Sequence, residues 1–165
     1  MIPWEQRARE EANLLNPAFC GALIALTVAD YVESEPRGMP YALVPLVLPV
    51  VLHKATREAL PRSIRSSLAA WLDETPSALL GFAERVRALV PYSREAVLFA
   101  GAHGALRFVP GGRLASGANA LSTTKFERTA TDEARACIRS ARLVGRWFAS
   151  AGAEHTVLLL WGIQP

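Results

Sequence analysis

The stretch from Met39 to Pro61, MPYALVPLVLPVVLHKATREALP, constrains the fold of this chain more than any other segment. It joins an apolar run, two prolines four positions apart (Pro45 and Pro49) and an abrupt basic cluster. Each proline removes an intrahelical donor and crowds the turn before it. A regular helix over Tyr41–Leu52 is therefore not expected unless one proline lies in a first turn. The expected path is irregular and extended, turning helical near Pro49, running to about Ala59 and stopping at Pro61. Such a segment serves as a hinge feeding a charged surface, and no catalytic chemistry requires that order of residues. The apolar run Met39–Leu52 is fourteen residues with three prolines, too short and too broken to span a bilayer.

At 165 residues the chain suits one domain, with residues 1–16 as an N-terminal arm or short helix. Hydrophobic residues make up 51% and charged residues 20%, a globular balance rather than a disordered one. A mean hydropathy of +0.18 leaves apolar surface for a partner, a second copy of the chain included, or for a dense helical core. The net charge of +3 is too modest to announce a nucleic-acid binder. All but two of the eighteen positive side chains are arginine, Lys54 and Lys125 being the exceptions. The opening MIPWEQRAREE carries acids and an early tryptophan, unlike a signal peptide. Cys20 and Cys137 form neither a metal motif nor a disulfide framework, so a reducing, cytoplasmic setting is expected.

Asn16 and Pro17 mark a helix start, and apolar residues at helical spacing carry it to Glu33. Ser63 is placed to cap a helix bearing Ile64, Leu68, Trp71 and Leu72. Ser77 is placed to cap a second, whose stripe Leu79, Phe82, Val86, Leu89 and Val90 ends at Pro91. Ser93 opens a third through Ala102, with Gly104 as its C-terminal glycine. Residues 106–109 and 113–115 then alternate like strands about Pro110-Gly111-Gly112. The expected fold is mainly α with a small β-hairpin. The order over 63–115 is that of a winged-helix-like core, although unrelated folds share it. A loop is expected over 116–131, a helix over Asp132–Ser150, and a short buried strand or docked tail over His155–Trp161.

Arg135, Arg139, Arg142 and Arg146 stand four, three and four residues apart, on one face of the expected helix, with no acid interrupting the row. This strip suits phosphates or an acidic protein surface; the alternative is a solvated helix face. His53, Lys54 and Arg57, with Arg62 and Arg65 beyond, form a second basic cluster. Arg107 and Arg113 flank the hairpin turn, where they could reach a phosphate. The three histidines lie about fifty residues apart, without a second ligand at metal spacing. Neither cysteine sits in a reactive motif, and no glycine cluster makes a phosphate-binding loop. No catalytic, cofactor or metal residues are assigned.

IPWEQRAREEANLLNPAFC, the Met39–Pro61 block, FAERVRALVPY and the closing LLWGIQP together resemble the middle component of bacterial three-component ABC systems, nearly end to end. LNPAFC, LVLPVVLHKATREALP and WGIQP are its most specific parts. The resemblance implies a non-enzymatic adaptor working beside an ABC-type ATPase of the SMC/Rad50-like kind and a third, effector component. It implies a role in conflict with phage or other mobile DNA, and it carries over no catalytic residues. The competing reading is direct DNA binding through a winged helix, with Arg107 and Arg113 at the wing and the arginine row on phosphates.

Overall fold

The structure, a computed structural model, describes residues 6–122, 128 and 130–163. Its centre is α2 (Pro17–Ser34), which starts where Asn16 accepts hydrogen bonds from the backbone of Ala18 and Phe19. Residues 20–28 are buried all round the helix. With α1 (Arg9–Leu14), α2 belongs to a segment long and apolar enough to cross a membrane. Here its apolar surface is instead covered by α6 (Phe82–Ala102) and α7 (Asp132–Ser150), as in the core helix of a globular domain.

Both covering helices approach α2 through small residues. Beside α6, an added Cβ at Gly21 would meet the Ala96 carbonyl at 2.9 Å. Beside α7, Thr27 Oγ1 bonds both its own-helix Leu23 carbonyl (2.9 Å) and the Ala141 carbonyl (3.0 Å). The start of the described chain is fastened to α6. Buried Arg7 donates to Glu95 (2.9 Å) and lies over the Tyr92 ring, while the Tyr92 hydroxyl donates to Glu11 (2.6 Å). The proposed arm residues 1–5 lie outside the described residues.

The proline-rich block departs from the expected path. After a single 3-10 turn (Tyr41–Leu43) it is already helical from Val44, as α3 (Val44–Val51). Pro45 falls in the first turn, where its missing N–H has no intrahelical partner to lose. Pro49 does lie inside, at a cost of about 3 kcal/mol. That is outweighed because seven of the eight residues are buried, each apolar side chain contributing roughly 1.5–3 kcal/mol. The chain then breaks at His53 and restarts as α4 (Lys54–Ala59), so 49–59 is two helices rather than one.

Ser67, not Ser63, caps α5 (Leu68–Glu74), and Ile64 is exposed. Pro76–Leu79 forms a 3-10 turn, and the two helices expected on either side of Pro91 are one, α6. Pro91 is exposed, so the carbonyl it leaves unpaired can meet water. Meanwhile Phe82 and Val86 on one side, and Ala96 and Val97 on the other, bury into the same hydrophobic core, which stabilises both halves. Pro91→Ala is expected to raise stability by roughly 1–2 kcal/mol, the interior-proline cost reduced by the freedom the unfolded chain regains. An upward shift in Tm checks it; an unchanged or lowered Tm would show that Pro91 costs this helix nothing.

With the second and third expected helices fused, residues 63–115 hold two α-helices and a 3-10 turn before the hairpin, rather than three separate helices. The hairpin is present as β2 (Leu106–Val109) and β3 (Arg113–Ser116), with Gly111 and Gly112 in the left-handed turn region. β1 (Met39–Pro40) adds a third antiparallel strand, Met39 opposite Leu114 and Pro40 opposite Arg113. Residues 117–122 are irregular as expected; 123–127 and 129 lie outside the described residues. The terminal segment, expected as a short strand or a docked tail, is a docked helix, α8 (Glu154–Leu160). It delivers Trp161 to an aromatic cluster, stacked on Phe82 at 4.2 Å and 6.0 Å from Trp71, which meets Trp147 at 5.1 Å.

Candidate functional site

α7 is the clearest amphipathic helix in the chain, as its sequence predicts. Thr131 caps it and Asp132 and Glu133 occupy its first turn, where carboxylates suit the positive end of the helix dipole. Its buried side, from Ile138 to Phe148, packs on α2. That orientation turns the arginine row toward α4, so the two basic clusters separated in sequence come together. Between α4 and α7 lies a groove of about 500 Å³ lined by Arg57, Arg62, Arg139, Arg142 and Arg146.

The five arginines are not equivalent. Arg57 is buried, and its guanidinium donates to the carbonyls of Val51 (2.8 Å) and Leu52 (3.2 Å) at the end of α3. It also pairs with Glu133 of α7. Arg142 donates to Asp30 of α2 at 3.0 Å, and Arg146 binds the second oxygen of the same carboxylate. Arg135 pairs with Asp132 (2.9 Å) and does not line the groove. Arg62 and Arg139 are exposed and form no ion pair among the described residues. One carboxylate cannot neutralise two guanidiniums, so positive charge remains at the inner end of the groove as well as at its two free arginines.

Asp30 is the site residue that sequence reasoning misses. It sits 112 positions before Arg142, inside the largely buried core helix α2. That placement was the available signal, because a carboxylate in a buried helix demands a cation partner. On the far side of the Arg57–Glu133 pair is an apolar cleft of about 390 Å³, with Leu14, Phe19, Leu52 and Cys137 in its wall.

The remaining candidates have structural duties. His53 is the N-cap of α4: its Nδ1 accepts from the Thr56 N–H (3.3 Å) and lies 2.8 Å from the Thr56 hydroxyl. This assigns the ring proton to Nε2. Burial, then Arg85 and Arg57, pushes its pKa below the ordinary 6.5. Since only the neutral ring can cap, this contribution is complete above pH 6.5 and is lost as the pH falls below it. Wild type is expected to lose up to about 1 kcal/mol there relative to His53→Asn, which caps without titrating. Urea unfolding of both at several pH values checks this; parallel profiles would exclude it.

Lys54 is exposed and lies 3.8 Å from Glu58. Arg107 donates to the Ser116 carbonyl (3.1 Å) and Arg113 to the Gly38 carbonyl (2.8 Å), so both hairpin arginines brace the sheet. Neither lines the groove.

Both cysteines are free and buried, and burial raises both thiols, Cys20 to about 12. A thiol that stays protonated is a poor nucleophile. His103 stacks on Phe99 with its Nδ1 2.8 Å from the Phe99 carbonyl, and His155 is exposed. Among the described residues no three His, Cys, Asp or Glu side chains gather to hold a metal ion.

No curated protein and no solved structure matches the chain significantly. A family match does extend over residues 4–165, to the ABC-three component (ABC-3C) system Middle Component 3. The strings that carried the resemblance are fold-determining: LNPAFC starts the core helix, LVLPVVL is the buried α3, and the closing tryptophan completes the aromatic cluster. The chain belongs to the MC3 family, the middle component 3 of ABC-three component systems.

Proposed function

We propose that the protein is a non-enzymatic adaptor that joins an ABC-type ATPase to an effector component, in the cytoplasm, in a bacterial system directed against phage or other mobile DNA. The observation that carries this reading is the family match over residues 4–165, which makes the chain a middle component over its whole described length. The site supports it. The charged side chains that face solvent form a groove suited to contact, and the buried, raised thiols are not arranged as nucleophiles.

Direct DNA binding is the second reading, favoured by the guanidiniums of Arg62 and Arg139, which form no ion pair among the described residues and suit phosphates. It is weakened by the use of Arg107 and Arg113 within the sheet. Co-expression with the ATPase and the third component, followed by co-purification and a mass measurement in solution, tests the first reading. Binding of duplex DNA by the isolated chain at two salt concentrations tests the second. A stable complex with no DNA binding alone supports the adaptor. Steeply salt-dependent DNA binding with no protein complex overturns it.

A further inference from the structure

We infer that the groove between α4 and α7 receives an acidic, partly apolar segment of a partner polypeptide, whose carboxylates meet Arg62 and Arg139. The inference rests on the adaptor reading and deepens it by naming the chemistry of the contact. Three observations carry it.

The first is that charge is left over. Arg57 is consumed by Glu133 and two carbonyls, while Arg142 and Arg146 share the single carboxylate of Asp30. Arg62 and Arg139 have no ion-pair partner among the described residues and stand on opposite walls of the groove, one just beyond α4 and the other on α7. Like charges at close spacing along one helix oppose folding slightly, so the row is stabilised when an anion arrives. A guanidinium takes a carboxylate in a two-pronged geometry that lysine lacks, and this chain uses arginine at every basic position of the groove.

The second is the apolar part of the lining. Leu60, Pro61 and Leu143 lie between the charged walls, and the first two are half-buried. An interface gains most of its affinity where apolar side chains fill such a central strip within a polar rim. A leucine-type side chain flanked by acids fits this pattern, whereas a sugar-phosphate chain has nothing to place there.

The third is the distribution of acids. Glu58 and Glu133 also line the groove. A continuous phosphate backbone would run past both carboxylates and be repelled, while a peptide can space its acids to avoid them. This favours a polypeptide over nucleic acid.

The test uses the full chain and its double variant Arg62→Glu/Arg139→Glu. Both positions are exposed and without ion-pair partners, so the variant is expected to melt like wild type. Co-purification with the ATPase and with the third component is combined with fluorescence anisotropy on a labelled peptide of alternating glutamate and leucine and on a labelled DNA duplex. Arg87→Glu, exposed on α6 and away from the groove, is the control. The expected result is binding of the peptide over the duplex and an affinity about tenfold weaker in the double variant, for peptide and partner alike, with the control unchanged.

If wild type and the double variant capture the partner equally well, the adaptor stands and the groove inference falls. If neither component is captured by wild type, the adaptor reading falls, and the groove inference falls with it unless the peptide binds in a manner dependent on Arg62 and Arg139. Preference for the duplex over the peptide overturns the polypeptide assignment.

Discussion

Gly145→Ala is expected to cost roughly 3 kcal/mol or more and to leave a protein that is largely unfolded at moderate urea. On helix propensity alone the same change should help, because alanine is favoured over glycine inside a helix by about 1 kcal/mol. Packing decides the sign. A methyl group at Gly145 would stand 2.2 Å from the Thr27 carbonyl oxygen and 3.0 Å from its carbon. Those are backbone atoms of α2, so no side chain can swing aside. Relief requires moving α7 away from α2, which loosens the bond from Thr27 Oγ1 to the Ala141 carbonyl and the buried contacts around it. Overpacking ordinarily costs 1–3 kcal/mol, and a backbone-to-backbone clash belongs at or above the upper end of that range. Typical domains hold only about 5–15 kcal/mol in total.

Gly101→Ala is the matched control. It lies in α6 with nothing within 4 Å of the added carbon, so it should be neutral or stabilising by up to about 1 kcal/mol. Urea unfolding of the pair separates the two effects. Equal stability of Gly145→Ala and wild type would overturn the close approach of α2 and α7.

Arg57→Ala is expected to cost about 3 kcal/mol, whereas Glu133→Ala should cost less than about 1 kcal/mol, although the two side chains form one ion pair. The asymmetry follows from exposure. The Arg57 side chain is 4% exposed and that of Glu133 is 67% exposed. Removing the arginine opens a buried space and strips the Val51 and Leu52 carbonyls of their donor just where α3 ends. Removing the glutamate leaves the guanidinium still bonded to both carbonyls. Chemical denaturation of the two variants gives the comparison, and similar losses would show that the ion pair, rather than the carbonyl bonds, is what Arg57 contributes.

Arg57 also shows where reading the sequence reaches its limit. Its neighbours Lys54, Arg62 and Arg65 are exposed, and nothing in the order of residues distinguishes it from them. The difference arises because α3 ends at Val51 and the chain turns at His53, aiming one side chain of the cluster back at the carbonyls it has just left. The Arg135–Arg146 row was legible as a face because helical spacing is a local property. That Asp30 occupies half of that face depends on a residue more than a hundred positions away.

Boundaries set by local chemistry were equally legible. Asn16 with Pro17, and the two turn glycines Gly111 and Gly112, each satisfy a backbone requirement on the spot. Pro49 and Pro91 misled for the opposite reason. A proline weakens a helix by a fixed local amount, while the burial that overrides it is summed over partners the local sequence does not name. His155–Trp161 was read as strand or docked tail for a related reason. A short apolar run has no period of its own to separate strand from helix, and contact with Phe82 and Trp71 settles its place.

The mainly helical class, the hairpin and the arginine face were legible in the residues alone, since each depends on residue types and short-range spacing, while the family rests on the match over residues 4–165. Long-range contacts were needed to show that Met39–Pro40 adds a third strand to the hairpin. The same is true of the fusion of two helices across Pro91, and of which groove arginines are paired inside the fold and which two form no ion pair among the described residues. Those outcomes depend on long-range burial and ion pairing, whose energies exist only once distant segments have come into contact.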